Sequence, residues 1–170
     1  MSSRLKGFLS GAVLAGLTTF ALLPSFPPAV RAQGPTPFAN FHGNWTGNGT
    51  ITLNSGATER IRCRAKYKVE NSDRNMQQEL RCASDSYKFE VNSNIDYNGG
   101  SVYGTWMEIT RNVSGAVNGK ATGNHIEAQV AGGPFSAALS LTTTGNAQAV
   151  TIRPTGTDVT AVTINLQRGK

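Results

Sequence analysis

Residues 60–69 read R-I-R-C-R-A-K-Y-K-V, and their alternation decides the fold. Arg60, Arg62, Arg64, Lys66 and Lys68 take the even positions, while Ile61, Cys63, Ala65, Tyr67 and Val69 take the odd ones. A strict period of two places the cations on one face of a β-strand and the apolar residues on the other. A helix would scatter the same charges around its circumference. One face therefore meets water, the other meets a core, and Cys63 points into that core.

A second alternating run covers residues 76–83. It sets Met76, Gln78, Leu80 and Cys82 on one face and Gln77, Glu79 and Arg81 on the other. Two cysteines on the inner faces of consecutive strands predict a single bridge, Cys63–Cys82, suited to an oxidising compartment. With the cysteines opposite one another, Glu79 faces Lys66 and Asp85 faces Arg60, which is favourable. Arg64 then faces Arg81, which is not.

Beyond this pair, strand signals recur at short intervals. They predict strands over 44–53, 59–69, 76–84, 86–95, 101–111, 113–121, 124–131, 135–143, 147–153 and 160–168. Turn chemistry separates them at Asn54-Ser55-Gly56, Asn71-Ser72-Asp73, Asn98-Gly99-Gly100, Gly132-Gly133-Pro134, Thr144-Gly145-Asn146 and Pro154-Thr155-Gly156. The best helix candidate, 73–80, conflicts with the alternation through Cys82.

About ten strands joined mostly by tight turns predict an all-β, antiparallel up-and-down barrel, with a flattened sandwich as the alternative. Closure removes the free edges that an open sheet would expose. The inward positions include Trp45, Tyr67, Phe89, Val91, Trp106, Phe135 and Leu139, interleaved with small residues such as Gly47, Gly104, Gly115 and Ala128. Small inward residues admit either a cavity or walls in contact, and native packing density makes the collapsed barrel the expectation.

The two ends of the chain bound where it works. Arg4 and Lys6 precede an uncharged run, 7–23, then prolines and Ala29-Val30-Arg31-Ala32. This is the pattern of a secretory signal peptide over 1–32, cleaved after Ala32, and it predicts a periplasmic or secreted protein. The run is at the short edge for a spanning helix and carries Gly11 and Gly16, so no stable membrane span is predicted. Residues 33–42, with Pro35 and Pro37, read as an extended lead-in, and 43–170 as one barrel domain. The full chain carries a formal charge of +6. Loss of Arg4, Lys6 and Arg31 leaves about +3, so the basic character is local to residues 60–68.

At Phe41-His42-Gly43-Asn44-Trp45 the first strand opens with Gly-x-Trp. This resembles the opening of the calycins, the superfamily of lipocalins, fatty-acid-binding proteins and avidins. The resemblance implies that Trp45 plugs one barrel end and that the open end takes a small ligand. The whole pattern also resembles small exported alphaproteobacterial β-barrel proteins, a class that carries no assigned activity.

Nothing in the chain points to catalysis. His42 and His125 are the two histidines, and neither has a partner at metal-ligand spacing. No nucleophile elbow or phosphate-cradling glycine loop occurs, and no cofactor is implied. Glu108 shares a face with Trp106, and a buried carboxylate needs a partner. The expected place for it is the barrel rim, with Arg111 beside it.

The leading expectation is non-catalytic binding of a small, largely apolar ligand in the barrel mouth by Trp106, Glu108, Tyr67 and Phe89, with Trp45 as end plug. A second is binding of an envelope polyanion or a protein partner along Arg60, Arg62, Arg64, Lys66 and Lys68. Thr46, Asn48, Thr50, Thr52, Gln77, Glu79 and Ala83, the outward neighbours of that row, offer no stacking aromatic, which argues against nucleic acid. A third reading is an inhibitor of exported proteases, which would need an exposed, ordered arm around residues 35–41.

Overall fold

The computed structural model describes residues 36–169. The expected signal peptide, 1–32, and its expected cleavage point after Ala32 lie outside them. Ten strands follow one another: β1 (Gly43–Leu53), β2 (Thr58–Glu70), β3 (Asn75–Ala83), β4 (Lys88–Asn98), β5 (Ser101–Glu108), β6 (Val113–Thr122), β7 (His125–Gly132), β8 (Phe135–Thr144), β9 (Ala147–Thr155) and β10 (Val159–Arg168). Each pairs antiparallel with its neighbours in sequence, and β1 also pairs with β10, so the sheet is a closed up-and-down barrel. The β1–β10 ladder, with Gly47 opposite Leu166 and Ile51 opposite Val162, excludes the sandwich. Among the described residues no helix is long and apolar enough to cross a membrane.

The β2–β3 register is the one the alternation implies. Cys63 faces Cys82, Lys66 faces Glu79 and Arg64 faces Arg81. The bridge is formed, with Cα atoms 4.2 Å apart. Asp85 does not reach Arg60, because β3 ends at Ala83 and residues 84–87 turn. That turn is closed by Ser84 N–H donating to Tyr87 O at 2.8 Å. Arg81 finds its counter-charge in the next strand instead, 2.8 Å from Glu90.

β5 stops at Glu108 rather than running on to Arg111. Residues 109–112 form a turn in which Asn112 has a φ of 53°. Several hairpins use two-residue loops opened by a glycine at positive φ, such as Gly133 (56°) before Pro134 and Gly145 (57°) before Asn146. This handedness suits the twist of the flanking strands. Pro154 lies within β9, opposite Ala137, rather than in the turn that follows.

Residues 37–41 are not extended. They form consecutive turns, with Phe41 N–H donating to Phe38 O at 2.9 Å, and Phe38 and Phe41 are fully buried. These two rings close one barrel end together with Trp45 and Tyr67. Phe41 meets Tyr67 edge-on at 5.3 Å, and Trp45 meets Tyr67 edge-on at 6.3 Å. A barrel with an apolar interior must cover its ends, and that demand folds a segment with no periodicity of its own.

The barrel is not collapsed. An apolar cavity of about 490 Å³ remains inside it. Ten strands enclose more space than the side chains of a small barrel can fill. Several inward glycines sit where neighbouring backbone presses close, so they serve curvature and fill nothing. A Cβ on Gly47 would lie 1.8 Å from Asn165 O, and one on Gly115 would lie 1.8 Å from Ala131 O.

Candidate functional site

The cavity has a floor and a mouth, and burial along the strands shows which is which. On β4, inward Ile95 is buried while Val91 and Phe89 are half-buried. On β8 and β9, Leu141 and Val150 are buried, whereas Leu139, Phe135 and Ile152 are half-buried. Apolar side chains that gain exposure toward one end line an opening. That end is opposite Trp45 and carries the 84–87, 109–112 and 156–158 connections.

Of the five residues expected to bind a ligand, Tyr67, Phe89, Trp106 and Glu108 line the cavity. Trp45 does not; it sits beneath, fully buried, its Nε1–H donating to Phe41 O at 2.7 Å. The Arg168 guanidinium lies 4.8 Å from the centroid of its ring. The alternation pattern offers no hint of that contact, because Arg168 comes from the far end of the chain.

Glu108 stands at the mouth and is buried. Its carboxylate is already occupied. Thr110 Oγ1–H donates to it at 2.5 Å, Arg111 N–H at 2.6 Å and Glu90 N–H at 3.0 Å, with the Arg111 guanidinium 3.7 Å away. Burial is the largest single influence on this carboxyl and works to raise its pKa. The hydrogen bonds from Thr110 and from the Glu90 and Arg111 backbone together outweigh it, holding the group below the ordinary carboxylate range. Glu108 is therefore an anion that ties the β5–β6 turn to β4.

A row of polar groups shares the wall. Tyr67, Gln78, Ser93 and Trp106 stand opposite one another across β2, β3, β4 and β5. Ser93 O–H donates to Gln78 Oε1 at 2.9 Å, and Gln78 Nε2–H reaches Tyr67 Oη at 3.4 Å. Tyr67 O–H donates to Gln148 Oε1 at 2.7 Å, and Gln148 Nε2–H to Thr143 Oγ1 at 3.1 Å. Burial pushes the Tyr67 phenol well above its ordinary pKa, so it stays a neutral donor. The row ends at Trp106, which is 8% exposed and whose buried Nε1 has no hydrogen-bond partner. Its ring meets Phe135 edge-on at 5.4 Å, across from β5 to the start of β8.

On the outside, Arg60, Arg62, Arg64, Lys66 and Lys68 are all exposed along β2. Across the β1 ladder they face Thr50, Asn48, Thr46 and Asn44, and across β3 they meet Ala83, Arg81, Glu79 and Gln77. Lys68 pairs with Glu70 at 2.5 Å. A shallow groove over the bridge is edged by Arg62, Arg64, Arg81 and Lys88, with Glu90 on Arg81 as its counter-charge. Among the described residues no cluster of histidine, cysteine and carboxylate side chains is arranged to hold a metal.

No family model matches the chain, and no curated protein matches it. Solved structures do match, as folds. The crystal structure of Rv2717c from M. tuberculosis is similar with a TM-score of 0.55 and 11% identity, covering 79% of this chain and 94% of that one. The S-type phycobiliprotein lyase CPES from Guillardia theta is similar with a TM-score of 0.56 and 9% identity, covering 78% of this chain and 90% of that one. At such identities the likeness is one of architecture, a closed antiparallel barrel.

Proposed function

We propose that this protein binds a small, largely apolar molecule in its barrel without transforming it. The observation that carries the reading is the cavity of about 490 Å³, whose walls are largely apolar from the Ile95–Leu141 level up to the half-buried Phe89, Leu139 and Ile152 at the mouth. A space of that size between apolar walls matches the usual dimensions of small-molecule sites. Trp106, Phe89 and Tyr67 contact the ligand, Glu108 shapes the rim, and Trp45 seals the opposite end. The Cys63–Cys82 bridge suits an exported protein. One of the similar barrels is named a lyase; the apolar lining of this cavity supports binding.

Native mass spectrometry of the protein purified gently from its own source tests this. An added mass that is lost on denaturation supports a carrier and gives the class of its cargo. A bare mass, together with no saturable uptake of the neutral fluorophore N-phenyl-1-naphthylamine, counts against it.

A second reading rests on the exposed basic row. Five aligned cations, extended sideways by Arg81 and Lys88, form a surface for an acidic polymer. The R62E/R64E/K66E variant would lose salt-dependent retention on immobilised heparin. Unchanged retention would remove this reading and leave the cavity untouched.

A protease inhibitor would present its arm to the solvent. Here Phe38 and Phe41 are buried in the barrel end, which favours a structural role for that segment.

A further inference from the structure

Below the rim, where Tyr87, Glu108, Arg111 and Thr157 stand, the cavity wall is apolar except for one row of side chains, and that row is incomplete. Tyr67, Gln78, Ser93 and Trp106 are directly opposite partners on four consecutive strands. Strands of a closed barrel tilt, so a row of opposite residues climbs the wall. It starts at the floor, where Tyr67 packs on Phe41 and Trp45, and ends near the mouth, where Trp106 meets Phe135.

Most members of the row satisfy one another. Ser93 donates to Gln78, Gln78 to Tyr67 and Tyr67 to Gln148. Two donors are left over. The second Nε2 hydrogen of Gln78 has no acceptor among the described residues, because its amide makes one donor contact there, to Tyr67. The Trp106 N–H has none at all among the described residues; the residue is 8% exposed, and its nitrogen is covered on the cavity side as well as from bulk water, so an acceptor reaches it only when the indole turns. A buried N–H left unpaired costs free energy, and buried indoles ordinarily find an acceptor. Both residues line the cavity.

The surplus is of donors, so the missing piece is an acceptor. It is also neutral. No cation stands in the row, and Arg111, the cation that lines the cavity, is held at the rim beside Glu108 with Nη1 3.3 Å from Lys88 O. A carboxylate buried beside Trp106 would have no counter-charge within the row, and that is costly. Gly115, opposite Trp106 on β6, adds no side chain at this level.

We propose that the ligand carries a neutral carbonyl oxygen, as in an apolar ketone, aldehyde or ester, which draws the Trp106 N–H round to the cavity and takes the Gln78 amide as the second donor. This rests on the carrier reading and specifies its chemistry. The apolar body of the ligand fills the cavity, and the carbonyl sets its height along the barrel.

A matched pair of probes tests it. One is 6-propionyl-2-(dimethylamino)naphthalene, a neutral naphthyl ketone whose emission moves to longer wavelength when its carbonyl accepts a hydrogen bond. The other is the 6-propyl analogue, which lacks the oxygen. The intact protein should bind the ketone about three- to tenfold more tightly, the range of one net neutral hydrogen bond. Its bound emission should lie to the red of that in a non-donor solvent. In Trp106→Phe the ratio of the two affinities should fall toward one and the red shift should diminish, whatever loss of apolar contact the two probes share. Equal affinities in the intact protein, with bound ketone emission like that in a hydrocarbon, overturn this inference and leave the carrier reading standing. If neither probe binds, the carrier reading falls and this inference falls with it. The comparison within the intact protein needs no variant, so a poorly folded Trp106→Phe would not shield the proposal.

Discussion

Arg168, the last residue of β10, lies over the ring of Trp45, near the start of β1, with its guanidinium carbon 4.8 Å from the ring centroid. The same arginine donates through Nη2 to Asn40 O, in the turn that carries Phe41. Trp45 in turn donates to Phe41 O. The end plug is thus tied by contacts from the lead-in, the first strand and the last.

Arg168→Ala should lower stability by about 1–2 kcal/mol, combining a cation–π contact with a charge-assisted hydrogen bond. Arg168→Lys should recover only part of this, because an ammonium lacks the planar fork that spans ring and carbonyl. Urea unfolding followed by far-UV circular dichroism measures both. An Arg168→Ala midpoint equal to the parent's would show that the plug does not depend on this contact.

Glu108 gives stability a pH dependence of known sign. Its folded carboxyl sits below the ordinary range, so the stabilisation is fully present above the unfolded value, about 4.3. It disappears as pH falls through the lowered folded value. Glu108→Gln should therefore cost about 1–3 kcal/mol at pH 7. The gap from the parent should close on acidification below about pH 4. Parallel unfolding curves at a series of pH values would show this, and a gap independent of pH would contradict it.

The Cys63–Cys82 bridge closes a loop with a sequence separation of 19. Replacing both cysteines with alanine should cost about 3 kcal/mol. Reductant should lower the denaturation midpoint of the parent to near that of the double variant and leave the variant unchanged. A parent protein indifferent to reductant would mean that the bridge adds nothing to stability.

Two glycines separate crowding from backbone strain. Gly47→Ala would place a methyl 1.8 Å from Asn165 O, and the β1–β10 seam would have to part. A loss of about 3 kcal/mol or more follows, at the upper end of overpacking costs. Gly56 has open space around its missing Cβ but a φ of 82°, so Gly56→Ala should cost only about 1 kcal/mol. Thermal melts of the two variants would rank them. The reverse order would refute the account of the inward glycines.

The alternation at residues 60–69 was enough to read the strand, its faces and the β2–β3 register, because a period of two leaves one choice of face and the cysteines pin the alignment. Where the reading of Asp85 failed, the reason was local. Strands end where a turn satisfies their backbone, and Ser84 and Tyr87 close one there. Phe38 and Phe41 were not legible, since burial of a segment with no periodicity depends on the barrel end it covers. The cavity was not legible either, because the width of a closed sheet is set by tilt and stagger rather than by any one residue. Gln78 was recognised as inward-facing. Its alignment with Ser93 and Trp106 emerges only once β3, β4 and β5 are in register.

The seam between β1 and β10 joins residues such as Trp45 and Arg168 that are at opposite ends of the described chain. Every other ladder links neighbours in sequence and can zip from its hairpin. The seam has to wait until Val159–Arg168 is free to meet β1. Until then the two outermost strands are bare edges, and the Trp45 plug lacks its arginine. Refolding should accordingly show hairpin formation first and, as the rate-limiting event, a search that spans the whole domain, the slow kinetics characteristic of high contact order.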